Sequence, residues 1–483
     1  MEKPNLTIIN CLQDANLMGG LLKDPKTWKS WFVLLKAFFG LPMGKTSLDL
    51  FKAYSGREIK PQGPFRELWA NVGRRAGKSF MAAVIAVYLA IFFDYRKQLS
   101  IGERGVIQII AADKAQAGVI FNYIRGILRE TPFFKQFIER EYTDKLDLTN
   151  GLSIEVMACS FRSIRGRSLV CAIFDEISFW KVEGANPDRE ILAAVRPGMA
   201  TIPNSKLIVI SSPYAKFGVL YEHYRDYYGT DDKDILVWAA PTTTMNPTID
   251  QGFIDKESKK DPTAAASEWY GEFRQDIESY VSREALEGVI APGVYEIPYS
   301  TNYVYQGFAD PSGGARDSYT LGIGHVEDGT KILDCLRSRK PPFDPAQVTA
   351  EYARVLKTYH VSTVRGDRYS AEWVVRAFEK NGIHYITSDK SKSELYSELL
   401  PLINSGQCQL LDDKKMFRQL LGLERRTSRS GKDSIDHGPR GFDDSANAAA
   451  GCLAFLQEID PNFQITTTLS QAVDWDHWYH GYD

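Results

Sequence analysis

The chain has 483 residues, 44% hydrophobic and 25% charged, the make-up of a globular protein too long for a single ordinary core. Its formal net charge of −3 excludes a surface that is basic all over, so any contact with nucleic-acid phosphates has to come from local patches. Six scattered cysteines without a CxxC pair argue against a zinc site or a disulfide framework and fit a reducing cytoplasm, and MEKPNLTIIN lacks the apolar run of a secretory signal.

Residues 1 to about 60 read as a helical segment, with Trp28, Trp31, Phe32, Leu35 and Phe39 at roughly helical spacing. Residues 61–241 alternate short apolar β-rich runs with helical stretches, the pattern of a mostly parallel sheet covered on both faces. Met81 to Phe93 is the one membrane-like run; it falls short of the roughly 20 residues a bilayer needs and reads as a buried helix. Residues 242–279 read as a linker or lid subdomain, with the two halves separable near Tyr280. A second α/β pattern, residues 280–460, opens with YVYQGFADPSGG, carries a hairpin signal at Asp328-Gly329 and closes with an alanine-rich helix from Asp444. Residues 461–483 read as a flexible tail.

The first chemical motif is Gly73-Arg-Arg-Ala-Gly-Lys-Ser79, placed where a strand meets a helix. Backbone amides from Gly73 through Arg74, Arg75, Ala76 and Gly77 can cradle phosphates, and the helix N-terminus adds a favourable dipole. Lys78 can reach the β- and γ-phosphates and Ser79 can ligate Mg²⁺. The match to GxxxxGK[ST] is imperfect, because Val72 holds the position of the first glycine. Spread charge on a transferring phosphoryl group is what an arginine stabilises, which favours Arg74, with Arg75 second. The apolar run Val170 to Phe174 ends in Asp175-Glu176: Asp175 to hold the Mg²⁺ shell, Glu176 to polarise the attacking water. After the next apolar run, Ser211 and Ser212 either sense the γ-phosphate and pass the signal on, or form a simple turn. The expected ligand is ATP with Mg²⁺.

The second constellation is Asp310 and Asp367, each at a strand end, and Asp443-Asp444 opening a helix. Strand-Asp, strand-Asp, helix-Asp is the RNase H-like arrangement, and such a set can hold two Mg²⁺ or Mn²⁺ ions for phosphodiester cleavage. Asp444 is favoured over Asp443 as ligand, and Asp317 is a further carboxylate nearby in sequence. The basic run from Lys414 to Arg440 precedes this set directly and reads either as a solvated face or as a DNA contact.

Taken in order, GRRAGKS, the FDE strand, the SSP segment, an NP-containing linker ending in EWYGEF, and the aspartate set resemble the large terminase subunit of tailed bacteriophages, over about residues 60–457. The resemblance implies an ASCE-type P-loop ATPase that translocates double-stranded DNA into a procapsid, and an RNase H-like nuclease that cuts concatemeric DNA. It also implies a pentamer on a portal protein ring, a small terminase subunit as partner, and the host cell cytoplasm with no membrane. The family's adenine-contacting glutamine has no assigned counterpart; Gln62 is the only nearby candidate. Two other readings stay open: a P-loop helicase or translocase with a degenerate nuclease domain, against which no second helicase motif set follows Ser212, and a nucleotide-switched DNA-binding scaffold, against which Glu176 speaks.

Overall fold

Along the strands of the first half, neighbouring apolar side chains point to opposite faces and both faces are buried. Leu207 and Val209 enter one core, Ile208 and Ile210 the other. Strands of this kind need helices on both sides, which is why they read as continuous apolar runs. The computed structural model describes residues 6–159, 166–180, 187–314, 317–367, 371–427, 433–438 and 441–457, so the tail at 461–483 lies outside the described residues. The chain forms two units: Met1–Tyr280 with Gly422–Gly441, and Val281–Leu421 with Phe442–Asp483.

In the first unit β1 (Glu67–Val72), β2 (Gly105–Ala111), β3 (Ile138–Glu141), β4 (Lys145–Leu148), β5 (Leu152–Ala158), β6 (Ser168–Asp175), β7 (Lys206–Ser211) and β8 (Ile235–Ala240) form one sheet, ordered β3-β4-β5-β2-β6-β7-β1-β8. From β5 to β8 every pairing is parallel, and β3 and β4 add an antiparallel edge. β7 lies between β1 and β6, the ASCE-type order of a P-loop fold. Helices Lys29–Phe38, Lys78–Phe92 and Lys114–Glu130 cover one face; Pro187–Ala200 and Gly218–Tyr227 cover the other. Helix Lys78–Phe92 is apolar nearly all round because sheet and N-terminal helices enclose it. No helix among the described residues is long and apolar enough to cross a membrane.

Helices Ile8–Gln13, Lys29–Phe38 and Lys45–Ser55 belong to the core of this unit rather than forming a separate segment. Ile8, Leu34 and Phe38 pack in the same cluster as Val84 and Ile208. Arg57, 4% exposed, donates to the carbonyls of Asp232 and Ile235 beside β8. Lys206 on β7 is likewise buried, donating to the carbonyl of Phe65 beneath the Phe38 ring. Burial lowers its ammonium to about 8. A lysine whose folded value lies below its unfolded value binds its proton less tightly when folded, so stability is gained as pH rises from about 8 towards about 10.5. Thermal unfolding of Lys206→Met should lose that rise, roughly 2–3 kcal/mol, and gain stability at pH 7; an unchanged pH profile would place the charge elsewhere.

The expected linker also belongs to the first unit. Helices Thr242–Met245, Gln251–Lys260 and Pro262–Glu268 lead to β9 (Ile277–Ser279). Thr242 and Trp269 close on the loop after β1, as described below.

The second unit holds β10 (Ile290–Ala291), β11 (Gln306–Asp310), β12 (Tyr319–Glu327), β13 (Thr330–Arg339), β14 (Thr363–Gly366), β15 (His384–Thr387) and β16 (Cys408–Leu411), ordered β10-β16-β13-β12-β11-β14-β15. β11, β12 and β13 are antiparallel neighbours, and β14 and β15 run parallel to β11. The central order β13-β12-β11-β14-β15 is RNase H-like. The Asp328-Gly329 turn joins β12 to β13 with both residues at positive φ, 48° and 74°, as a two-residue hairpin requires. Helices Pro345–Thr358 and Ala371–Lys380 pack on one face and Asp444–Phe455 on the other. The last lies so close that a Cβ at Gly322 would meet the Ala448 carbonyl at 2.7 Å.

Between Leu421 and Phe442 the chain returns to the first unit. There β17 (Leu423–Thr427) and β18 (Asp433–His437) form a hairpin, and β17 pairs antiparallel with β9. The second α/β region, expected as a continuous 280–460, is therefore interrupted. So is the basic run: Lys414, Lys415 and Arg418 sit on helix Lys414–Leu421 of the second unit, whereas Arg425 and Arg426 sit on β17 of the first. The run is divided between the two units, because the hairpin carries its second half into another sheet.

Candidate nucleotide and nuclease sites

At the carboxyl edge of the first sheet, the ends of β1, β7 and β6 meet around a cleft of about 930 Å³. The loop after β1 lines it from Arg74 through Ser79. Gly77 takes φ 88° beneath the ring of Trp28, so both its backbone and its lack of a side chain are needed. Trp31 donates its indole N–H to the Ala76 carbonyl at 2.8 Å, which ties the N-terminal helix to the loop.

Lys78 opens the following helix and is 5% exposed. Its ammonium donates to the carbonyls of Val72 (2.9 Å) and Gly73 (3.0 Å) and to Ser212 Oγ (2.9 Å), and it pairs with Glu176 at 3.3 Å. Glu176 accepts from the Ser212 amide at 2.9 Å and from Ser211 Oγ at 3.3 Å. The fold thus gathers Lys78, Glu176, Ser211 and Ser212 from three adjacent strand ends. Glu176 and Arg75 both hold left-handed backbone, φ 52° and 59°. For residues other than glycine this costs about 1–3 kcal/mol each, and such strain clusters at functional sites.

Asp175 lies beneath this layer, 3% exposed, and its Oδ1 has no hydrogen-bond partner among the described residues. Burial, then the charge of Glu176, push its carboxyl up to about 7, against the pull of Lys78. A buried carboxylate oxygen without a partner, one residue before the cleft-lining Glu176, fits a Mg²⁺ ion or its water shell.

Other loop residues face protein. The Gly73 and Arg74 amides donate to the carbonyls of Ala240 and Glu268. A Cβ at Gly73 would meet Thr242 Oγ1 at 2.2 Å and the Trp269 carbonyl at 2.8 Å. Gly73 is thus a glycine because the 242–269 segment presses on it, which accounts for its being one place late for a phosphate loop. Arg74 pairs with Glu268 at 3.1 Å and lies over the Phe179 ring, and the Arg75 carbonyl accepts from Asn246.

Several lining residues were not foreseen from sequence. Phe80 and Tyr123 meet edge to face at 5.5 Å and, with Val119, offer an apolar shelf opposite the loop. The available signal was the half-exposed pair Val119 and Tyr123, four apart on one helix. Arg274 and Arg426 also line the cleft. Gln62 is exposed and is not among the lining residues.

In the second unit, Asp310 ends β11, Asp367 follows β14 and Asp444 opens the helix Asp444–Phe455. Asp310 accepts from Asn447 Nδ2 at 2.9 Å, and the Asn447 Oδ1 is buried without a partner among the described residues. Burial pushes the Asp310 carboxyl up to about 7; Asn447 and Lys392 oppose this, and Asp444 and Asp367 add to it. Burial also raises Asp444, which accepts from the Ser318 amide at 3.1 Å and lies 3.8 Å from Lys415. Asp443 faces other partners: Lys392 at 2.9 Å and the Tyr396 hydroxyl at 2.9 Å. Asp317 is exposed.

As placed, no three His, Cys, Asp or Glu side chains among the described residues are grouped closely enough to hold a metal ion. The donor set nevertheless fits one. Burial and neighbouring carboxylates oppose the ionisation of Asp310 and Asp444, Asp367 adding its charge against Asp310, and a bound cation relieves that repulsion.

A family model described as the N-terminal P-loop domain of the uncharacterized protein MJ0330 matches residues 55–270. No curated protein matches the chain. Solved structures similar to it are phage large terminases. The HK97 bacteriophage large terminase is 15% identical with a TM-score of 0.39, covering 88% of this chain and 99% of that one. The large terminase nuclease of the thermophilic phage G20c is 20% identical with a TM-score of 0.33, covering 37% of this chain and 99% of that one. The large terminase of another thermophilic bacteriophage is 13% identical with a TM-score of 0.38, covering 85% and 98%.

Proposed function

We propose that the chain is the subunit of a viral DNA-packaging motor, which hydrolyses ATP to translocate double-stranded DNA into a procapsid and cuts concatemeric DNA with a metal-dependent endonuclease. The observation that carries this reading is the pairing of two carboxylate sites in one chain: Asp175-Glu176 facing Lys78 at the edge of an ASCE-type sheet, and Asp310, Asp367 and Asp444 on an RNase H-like sheet. The motif order resembles large terminases, and that resemblance supplies the partners: a portal ring, a small terminase subunit and four further copies of the chain, in the host cytoplasm.

In the nucleotide site, Lys78 leaves its carbonyl partners for the β- and γ-phosphates; Ser79 and Asp175 would hold Mg²⁺, which would supply positive charge against the phosphates. Glu176, released from Lys78, orients the attacking water and takes its proton. Ser212 bonds both Lys78 and Glu176, and Ser211 bonds Glu176, so loss of the γ-phosphate shifts the segment after β7. In the nuclease site, Asp310, Asp367 and Asp444 would hold one or two Mg²⁺ or Mn²⁺ ions, which would supply a Lewis acid for water activation and for the charge of the leaving oxygen. Asn447 fixes the Asp310 carboxylate, and Lys415 is placed to meet a backbone phosphate.

Arg74→Ala should lower ATP turnover at least about tenfold while leaving nucleotide affinity nearly unchanged, since phosphoryl charge spreads mainly in the transition state. That pattern in Arg75→Ala, with Arg74→Ala benign, would reverse the assignment. The motor reading is tested by ATP hydrolysis with and without double-stranded DNA. Several-fold stimulation is expected; a rate indifferent to DNA would remove translocation and leave a switch or scaffold.

A further inference from the structure

The nucleotide cleft contains a residue that the phosphate-loop motifs do not reach. Arg426 comes from β17, some 350 positions after Lys78, yet it lines the same cleft as Lys78, Glu176 and Ser212. It arrives there because β17 pairs with β9, with Arg426 opposite Ile277. Its guanidinium is held at 3.1 Å by Glu424, which is 1% exposed and also accepts from the Tyr214 hydroxyl at 3.0 Å. Tyr214 stands two residues after Ser212, which bonds Lys78. The Arg426 Nε is buried without a hydrogen-bond partner among the described residues.

Arg274 lines the cleft beside it, held by Asp276 through both ends of its guanidinium. The two arginines repel each other, so each favours an added anion. With Arg74, Arg75 and Lys78 they make the cleft more basic than a phosphate loop alone requires. A planar guanidinium lining such a cleft, with a bond to Glu424 to exchange, matches the oxygens of a terminal phosphate.

We propose that Arg426 is a phosphate-contacting residue of the nucleotide site: it exchanges Glu424 for the γ-phosphate of ATP and so makes the β17–β18 hairpin responsive to the nucleotide. This rests on the nucleotide reading of the cleft. The hairpin is the chain's only described excursion from the second unit back to the first, and its last strand leads within seven residues to Asp444.

The test uses the full-length protein and compares affinity for a non-hydrolysable ATP analogue and for ADP, both with Mg²⁺. Arg426→Gln, which can still bond Glu424, should weaken the ATP analogue about tenfold or more and leave ADP nearly unchanged. Glu424→Gln keeps an acceptor for Tyr214 but frees Arg426, so it should bind the ATP analogue at least as tightly as wild type. Equal losses for both nucleotides in Arg426→Gln, with a lowered Tm, would make Arg426 a structural ion-pair partner and overturn the proposal. So would no loss at all, or an ATP-selective loss in Glu424→Gln. Wild-type protein that binds neither nucleotide would instead overturn the reading of the cleft itself.

Discussion

Asp310→Asn is expected to abolish DNA cleavage, by roughly 10²–10³-fold or more on the scale of removing one group that stabilises transition-state charge, while ATP hydrolysis stays near wild type. Asparagine keeps an acceptor for Asn447, so the local bond survives and only the charge is lost. The same change should show in stability. The Asp310 carboxyl, raised to about 7 chiefly by burial, binds its proton more tightly in the folded protein than in the unfolded chain. Its contribution is therefore full below about pH 4 and lost as pH rises through about 7. At pH 8 without metal, Asp310→Asn should unfold at a temperature equal to or above that of wild type. Added Mg²⁺ or Mn²⁺ should raise the Tm of wild type and raise that of the variant much less, because the ion stabilises only the state that binds it. Full cleavage by the variant would remove Asp310 from the chemistry. Equal loss of cleavage and ATP hydrolysis would mean a shared site or a folding defect.

Glu176→Gln is expected to leave ATP binding intact and to lower turnover by roughly 10²-fold or more, since the amide cannot take a proton from water. The amide oxygen can still accept from the Ser212 N–H, so the end of β7 should hold its place. Loss of the 3.3 Å ion pair leaves Lys78 with three neutral partners and frees it for phosphate, which favours nucleotide affinity equal to or above wild type. DNA cleavage should be untouched. Near-normal turnover in this variant would place the catalytic carboxylate elsewhere; a parallel fall in affinity would make Glu176 a folding element of the loop.

Much of the candidate site in the first unit was legible because each part is a local pattern: Lys78 and Ser79 at a strand–helix junction, Asp175-Glu176 at the end of an apolar strand, Ser211-Ser212 at the end of another. The parallel order follows once those strands are apolar on both faces, and it brings three sequence-distant strand ends to one edge. The RNase H-like order was legible for the same reason, from three aspartates at two strand ends and one helix start. Where reading failed, the cause was long-range packing. Gly73 looks like a misplaced phosphate-loop glycine until Thr242 and Trp269 are seen against it. Leu423–Thr427 reads as part of a basic run, either a solvated face or a DNA contact, whereas Glu424 is a core residue that meets Tyr214, 210 positions away. Asp443 and Asp444 are adjacent, with Asp444 favoured as ligand; what no sequence pattern shows is that Lys392 and Tyr396 from another helix take the first, while the second faces Ser318 and Lys415. The N-terminal helices, expected as a helical segment of their own, supply Trp28 and Trp31 to the loop after β1.

On the proposed function, one chain carries two chemically independent phosphate-cutting sites. It is tested most directly by assaying ATP hydrolysis and supercoiled-plasmid cleavage in Mg²⁺ and Mn²⁺ on one purified sample each of wild type, Glu176→Gln and Asp310→Asn. The expected result is both activities in wild type, cleavage alone in Glu176→Gln, and ATP hydrolysis alone in Asp310→Asn. Absence of plasmid cleavage in a wild-type sample that hydrolyses ATP, or loss of both activities in either variant while its Tm is unchanged, would contradict it.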